Sequence, residues 1–421
     1  MSKLVIEGRN RLSGEVDIQG AKNSALPILA STILSKGESV IHNCPNLSDI
    51  DITVKILKYL GCRVKKDKDV LTIDSSDINR CDIPDNLMRE MRSSIIFLGA
   101  VLSRTGSAKL SFPGGCELGP RPIDLHLKAL RNMGVLINDE GGTIDCSIKS
   151  GLKGARIALS FPSVGATENI ILAAVLAEGI TVITNAAREP EIVDLAEYLI
   201  SCGAKISGAG EGTITIEGVS KLSASEHYVI PDRIVAVTFM SAAAVTGGEI
   251  KLKNIIPSHL DQITPMFEEA GCSIKYEEDK LRKDLVLKPA KELKAIKIIR
   301  TMPYPGFPTD AQAPIMAMTT VSKGTSVFVE NIFESRYKHV GELLRLGANI
   351  KVEGKVAVVE GVKKLSGAPV NAPDLRGGAA LIIAALAAYG TTSITNVNYI
   401  DRGYQFIEKD LKSLGANIRR V

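Results

Sequence analysis

The sequence predicts an α/β protein of two inside-out, barrel-like domains, each built from three repeats with buried central helices and outer sheets. Three observations predict it. Glycines recur with a period of about seventy residues, six helical stretches lack a polar face, and an amphipathic helix accompanies them.

Helix-length segments end at Gly61, Gly134, Gly203, Gly271, Gly347 and Gly415, spaced 68 to 76 residues apart, and each opens a new strand. A second series, Gly37, Gly106, Gly179, Gly248, Gly324 and Gly390, lies 23 to 28 residues earlier and opens a short β-like stretch. The period exceeds those of common solenoids and propellers. A third pattern, Leu-x-Ile-x-Gly then Leu-Ser-Gly-x-Val, is missing after Gly415 but stands at residues 4–16. The N-terminal arm is therefore expected to complete the last repeat. The expected domains are 22–230, carrying repeats one to three, and 1–21 with 231–421.

The central stretches are 21–34, 91–102, 166–177, 234–245, 311–321 and 377–389, rich in Ala and apolar nearly all round. A helix of that kind is buried. The other type is amphipathic: Ile192, Val193, Ala196, Leu199 and Ile200 are backed by Glu191, Asp194 and Glu197. Three such pairs with sheet between them place helices within and strands around.

Composition narrows the function. The 421 residues include 51 basic and 47 acidic ones, which argues against a general polyanion-binding surface. With no Trp and only 9 Tyr and 9 Phe, a base-stacking platform is disfavoured. Seven Cys without CxxC spacing fit a reducing compartment and argue against zinc, as do the five scattered His. The first residues carry no apolar signal region, and the eleven-residue apolar run at 379–389 is too short to span a bilayer. A cytoplasmic monomer that binds neither membrane nor nucleic acid, metal or cofactor is the expectation.

Polar residues gather at the helix starts. Lys22-Asn23, Arg92-Ser93, Ser163-Val164-Gly165, Asp232-Arg233, Thr309-Asp310 and Asp374-Leu375-Arg376 begin the six buried helices. Arg121, Arg188, Arg336 and Arg402 stand where outer helices begin. Helix N-termini offer unpaired N–H groups and partial positive charge, so these starts suit a substrate carrying several phosphates or carboxylates. For Asp232, Arg233, Arg188 and Glu189, caps or ion pairs are an equal alternative. The sharpest local signal is Phe112-Pro113-Gly114-Gly115-Cys116-Glu117-Leu118-Gly119-Pro120-Arg121-Pro122. Its Gly and Pro content demands a loop, and a loop thiol beside Arg121 suits a proton donor or nucleophile as well as an incidental Cys. The other six Cys read as core residues.

These motifs, with Gly20-Ala21-Lys22-Asn23, Met91-Arg92-Ser93-Ser94, Ala187-Arg188-Glu189-Pro190, Phe307-Pro308-Thr309-Asp310 and Asp401-Arg402-Gly403-Tyr404, resemble the enolpyruvyl transferase family over essentially the whole chain. The resemblance implies transfer of the enolpyruvyl group of phosphoenolpyruvate to the 3′-hydroxyl of UDP-N-acetylglucosamine, with phosphate release through a tetrahedral ketal. That places it at the entry to peptidoglycan precursor synthesis, and so in cell-wall growth and cell division. It implies Lys22, Arg92, Arg121 and Arg402 as cations for the three-carbon donor, Cys116 as general acid and Asp310 as base. Asn23 is assigned to the sugar. Arg121, Pro122, Ile123, Asp124, Leu125, Ser163, Val164, Gly165 and Ile332 are assigned to the uridine diphosphate. Arg376 is added as a binding residue, Arg336 as a binding residue or a mere interdomain ion pair, and Asp374 as a second proton handler or a plain cap. The two lobes are expected to close over both substrates.

Phe161-Pro162, Val235, Val237 and Ser335 depart from the commoner residues of that family. Two rival readings are a transferase acting on shikimate 3-phosphate, which lacks the cysteine loop, and a silent paralog that only binds nucleotide sugar. An RNA-end-processing enzyme is disfavoured by the lack of aromatic or basic runs.

Overall fold

The computed structural model describes residues 2–114, 122–279 and 282–421. By its contacts the chain divides into two units, residues 20–114 with 122–230, and residues 2–19 with 231–421. The first cut falls between Gln19 and Gly20, two residues earlier than the sequence suggested. Two contacts explain it. The Ala21 N–H bonds the Ile230 carbonyl at 2.7 Å, and a Cβ on Gly20 would lie 1.8 Å from the Asn43 carbonyl oxygen.

Each unit is built from four-stranded sheets with one recurring order. In the unit 20–230, Glu226–Tyr228, Glu38–His42, Val70–Asp74 and Arg63–Asp67 form the first sheet in that spatial order. The first pair is parallel and the others antiparallel. Sheets from 82–147 and 156–217 repeat the arrangement. In the other unit, Ser13–Asp17 pairs in parallel with Glu249–Ile255. Leu4–Glu7 lies between Thr391–Thr395 and Asn417–Arg420, antiparallel to both. The N-terminal arm thus contributes strands to the first and last sheets of that unit.

Six helical segments form the apolar interiors: α1 (Lys22–Ser31), α2 (Phe97–Thr105), α3 (Val164–Ala174), α4 (Arg233–Thr246), α5 (Thr309–Thr319) and α6 (Leu375–Ala387). In α6 every residue from Arg376 to Ala387 is buried. Each large aliphatic chain taken from water contributes about 1.5–3 kcal/mol, which outweighs the modest propensity of such helices. Alternating strand residues, such as Ile214 and Ile216, close the same core.

The second central segment departs from expectation. It starts as a 3₁₀ turn, Arg92–Ile96, and turns α-helical only at Phe97. Asn169 on α3 accounts for the break. Its Nδ2 donates to the Ile95 carbonyl at 3.0 Å and its Oδ1 accepts from the Gly99 N–H at 2.7 Å. Those two backbone groups are an i, i+4 pair that an unbroken helix would join directly. A side chain inserted into the ladder changes the helix locally.

The first glycine series closes outer helices in the left-handed region, with φ from 89° to 108°, the conformation that favours Gly after a helix. The second series holds except at Gly248. There Gly247 takes the positive φ of 63°, and Gly248 is small because a Cβ would lie 2.3 Å from the Leu12 carbonyl oxygen. Five of the other Cys are buried as expected; Cys81 is half-exposed. No described helix is long and apolar enough to cross a membrane, and no metal-holding cluster occurs among the described residues.

Candidate active site

Cys116 and Arg121 lie outside the described residues, so their assigned roles stand as sequence expectations. The loop that leads to them leaves its base at Gly114. There the N–H bonds the Met88 carbonyl at 3.1 Å, and a Cβ would lie 2.0 Å from the Arg89 carbonyl oxygen. Only Gly fits that approach.

In the unit 20–230, Lys22 opens α1 with its ammonium 3.4 Å from Asp49 Oδ2, a carboxylate almost wholly enclosed. Asn23 is exposed beside it. The next residue, Ser24, points inward to Asp194 Oδ2. Asp194 Oδ1 is 2.8 Å from His227 Nε2, and Oδ2 also accepts from the Ile230 N–H at 3.3 Å. The sequence puts Asp194 on the polar face of its amphipathic helix, but the residue is buried and fixes the start of α1 from below. Pro27 lies inside α1 and Pro314 at the same place in α5. A proline has no N–H, so the carbonyls of Asn23 and Asp310, four residues earlier, lose their intrahelical donor.

The candidate nucleotide residues meet through His126. Ile123 is buried, Pro122 and Asp124 are exposed, and Leu125 is half-buried. A Cβ on Gly165 would lie 3.2 Å from His126 Cε1, which brings 122–126 against 163–165. His126 Nδ1 accepts from Asn169 Nδ2 at 2.8 Å, so the ring proton belongs on Nε2. Ser163 caps α3, its hydroxyl accepting from the Ala166 N–H at 3.3 Å. Arg92, half-buried, heads the 3₁₀ turn that Asn169 holds. Asn169, on α3, links the Ile95 turn to His126.

In the other unit, Asp310, Arg336 and Arg376 form one cluster. Arg336 Nη2 donates to Asp310 Oδ1 at 2.9 Å, and Arg376 Nη2 to Oδ2 at 3.1 Å. Arg336 also donates to the Thr309 carbonyl at 2.8 Å. Arg376 reaches the Tyr404 hydroxyl at 3.2 Å. Burial works to lower the Arg376 pKa, but Tyr404 and Asp310 outweigh it and raise it, so the guanidinium stays charged. Asp374 is a cap: Oδ1 accepts from the N–H groups of Arg376 and Gly377, each at 2.9 Å. Of the two roles open to it, the structure supplies this one. Asp232 caps α4 likewise. Arg233 lies over the Tyr304 ring, 5.5 Å from its centroid. Arg188 donates to the Gly210 carbonyl at 3.3 Å.

Arg402 ends a 3₁₀ turn, Val397–Arg402, and is half-buried. Gln19 holds the next residues: its Nε2 donates to the Gly403 carbonyl at 3.2 Å, and its Oε1 accepts from the Gln405 N–H at 2.9 Å. Ile332 is half-buried in the loop between a strand and Arg336.

Helix starts that offer cations, amides and a clamped carboxylate stand on two units of three repeats, a fold that known structures share. The chain matches the enolpyruvyl transferase NikO from Streptomyces tendae with a TM-score of 0.89 and 26% identity, covering 100% of this chain and 99% of that one. The fold also matches EPSP synthase from Acinetobacter baumannii with a TM-score of 0.80 at 19% identity, each chain covered in full. The family model of EPSP synthase (3-phosphoshikimate 1-carboxyvinyltransferase) matches residues 6–411. UDP-N-acetylglucosamine 1-carboxyvinyltransferase 2 of Caldanaerobacter subterraneus subsp. tengcongensis is 52% identical over 421 residues, with both chains covered in full. The UDP-N-acetylglucosamine 1-carboxyvinyltransferase of Geotalea daltonii is 48% identical over the same coverage. The chain belongs to this family of enolpyruvyl transferases.

Proposed function

We propose that the chain transfers the enolpyruvyl group of phosphoenolpyruvate to the 3′-hydroxyl of UDP-N-acetylglucosamine and releases phosphate. The observation that carries the reading is the 52% identity, end to end, with a relative named for that transfer. On this reading the chain acts in the cytoplasm, where its sugar nucleotide feeds peptidoglycan synthesis and cell division.

The chemistry assigns work to named groups. In addition, the sugar oxygen bonds C2 of the donor, its proton leaves, and C3 gains a proton, giving a tetrahedral ketal. In elimination, C3 loses a proton and the C2–O bond to phosphate breaks. Cys116 serves C3. Asp310, fixed by Arg336 and Arg376, receives the hydroxyl proton. Lys22, Arg92, Arg121 and Arg402 hold the phosphate and carboxylate of the donor; Arg suits such forked anions and Lys a point contact. Such donors act most strongly where water is excluded. Asn23 takes the sugar, and 122–125, 163–165 and Ile332 take the uridine diphosphate. Asp374 serves by fixing the start of α6, and with it Arg376.

A second reading, transfer to shikimate 3-phosphate, draws on the family model's description. Phosphate release with phosphoenolpyruvate and each acceptor in turn separates the two. Turnover with neither acceptor would leave a silent nucleotide-sugar binder.

A further inference from the structure

Four of the six repeats carry an Asn with left-handed backbone six residues after the second-series glycine, at or next to the strand's end: Asn43, Asn185, Asn254 and Asn396, with φ between 53° and 58°. Three of them have one visible task. Asn43 Nδ2 donates to the Val229 carbonyl at 2.8 Å, Asn185 to Leu159 at 2.8 Å and Asn254 to Ile18 at 3.3 Å. Each acceptor lies just past the parallel neighbouring strand. The second repeat has Phe112 at this place, and the fifth has an acidic residue. Six residues after Gly324 stands Glu330, and the task passes to Asn331, whose Nδ2 donates to the Thr301 carbonyl at 3.1 Å.

Glu330 turns inward and is only 2% exposed. Its Oε1 accepts from the Thr301 hydroxyl at 2.9 Å and from the N–H groups of Ile332 at 2.8 Å and Phe333 at 3.1 Å. The Thr309 hydroxyl reaches Oε1 at 3.2 Å and Oε2 at 3.1 Å. All these partners are donors, and no Lys or Arg among the described residues pairs with Glu330. A buried carboxylate satisfied by amides and hydroxyls needs them all in place. They come from three places: Thr301, just past the strand Ile298–Arg300; Thr309, the first residue of α5, next to Asp310; and the loop 331–335. Arg336 closes the same loop from the other side through the Thr309 carbonyl and Asp310.

We propose that Glu330 is the positioning residue that locks the Ile332 loop onto the start of α5, and so fixes the nucleotide-sugar contact relative to the base. The proposal rests on the function given above for its substrate assignment, but not for the lock itself. A four-donor carboxylate at the place where four of the six repeats hold Asn is a departure of the kind found where function overrides a repeat rule.

The test uses the full-length enzyme with Glu330→Ala and Glu330→Gln, read in two ways. Steady-state kinetics should show the KM for UDP-N-acetylglucosamine raised about tenfold in Glu330→Ala, with the KM for phosphoenolpyruvate within about twofold. Glu330→Gln keeps one carbonyl acceptor for the two amides and should lie between. Amide hydrogen exchange should show protection at Ile332 and Phe333 lost in Glu330→Ala and partly kept in Glu330→Gln. Equal changes in both KM values, or unchanged protection in a folded variant, overturn the proposal. If Glu330→Ala does not fold, unaltered kinetics and protection in Glu330→Gln overturn it alone. Wild-type turnover with shikimate 3-phosphate in place of the sugar nucleotide would sink the function reading, while the exchange data would still decide the lock.

Discussion

Arg376 Nη2 lies 3.1 Å from Asp310 Oδ2, joining the starts of two central helices 66 residues apart. Arg336 holds the other oxygen, and both guanidiniums are almost fully enclosed, at 2% and 3% side-chain exposure. Removing the carboxylate would leave two buried charges poorly matched, a loss of about 3–5 kcal/mol. Asp310→Ala should therefore unfold at clearly lower denaturant. Asp310→Asn keeps an acceptor, so it should lose less stability yet turn over roughly 10²–10⁴-fold more slowly. An active Asp310→Asn enzyme would remove Asp310 as the base.

The Asn169 carboxamide replaces a helical hydrogen bond, and its loss should be felt across the unit 20–230. In Asn169→Ala the Ile95 carbonyl, the Gly99 N–H and His126 Nδ1 lose that partner, and each buried orphan costs about 1–3 kcal/mol. Urea unfolding should show a loss of at least about 3 kcal/mol. A loss below about 1 kcal/mol would mean the helix re-forms its ladder without help.

Gly99→Ala tests the same contact from the other side. The added Cβ would lie 2.4 Å from the Asn169 carbonyl oxygen, a backbone atom with no room to yield. Overpacking of this kind costs about 1–3 kcal/mol. A neutral substitution would show that α2 and α3 can move apart.

Much of this architecture was legible because its signals are local. Many helices stop at a left-handed residue, which favours Gly, so Gly61, Gly134, Gly203, Gly271, Gly347 and Gly415 announce the repeat directly. A helix apolar on every side has only one place to go, which made the central helices readable. Asn169 gave no such signal, because an Asn beside Thr167 and Glu168 in 164–174 does not reveal an insertion into a helix 70 residues away. Asp194 and Glu330 were hidden for a related reason: on the page each is another acidic residue, and their partners come from other elements. Gly247-Gly248 misled by one residue, since the pair divides the turn and the close approach between them.

His339 supplies a pH test. It is fully buried, its Nδ1 donates to the Arg336 carbonyl at 3.1 Å, and burial lowers its pKa to about 4 despite the nearby Asp374 charge. The unfolded chain takes up this proton near 6.5 while the folded one does not, so stability falls as pH drops from about 6.5 to 4. The loss is on the order of 3 kcal/mol. Asp410 opposes it, because burial and Glu408 raise its pKa to about 6 and favour the folded state at lower pH. The difference between wild type and His339→Gln isolates the histidine: it should shrink as pH falls through that window. A difference constant with pH contradicts the buried neutral ring.

Phosphate release by the purified chain, with phosphoenolpyruvate and either UDP-N-acetylglucosamine or shikimate 3-phosphate, tests the central claim most directly when repeated on Cys116→Ala. The account predicts turnover with the sugar nucleotide only and near-complete loss in the variant. Turnover with shikimate 3-phosphate, or a fully active Cys116→Ala, would contradict it.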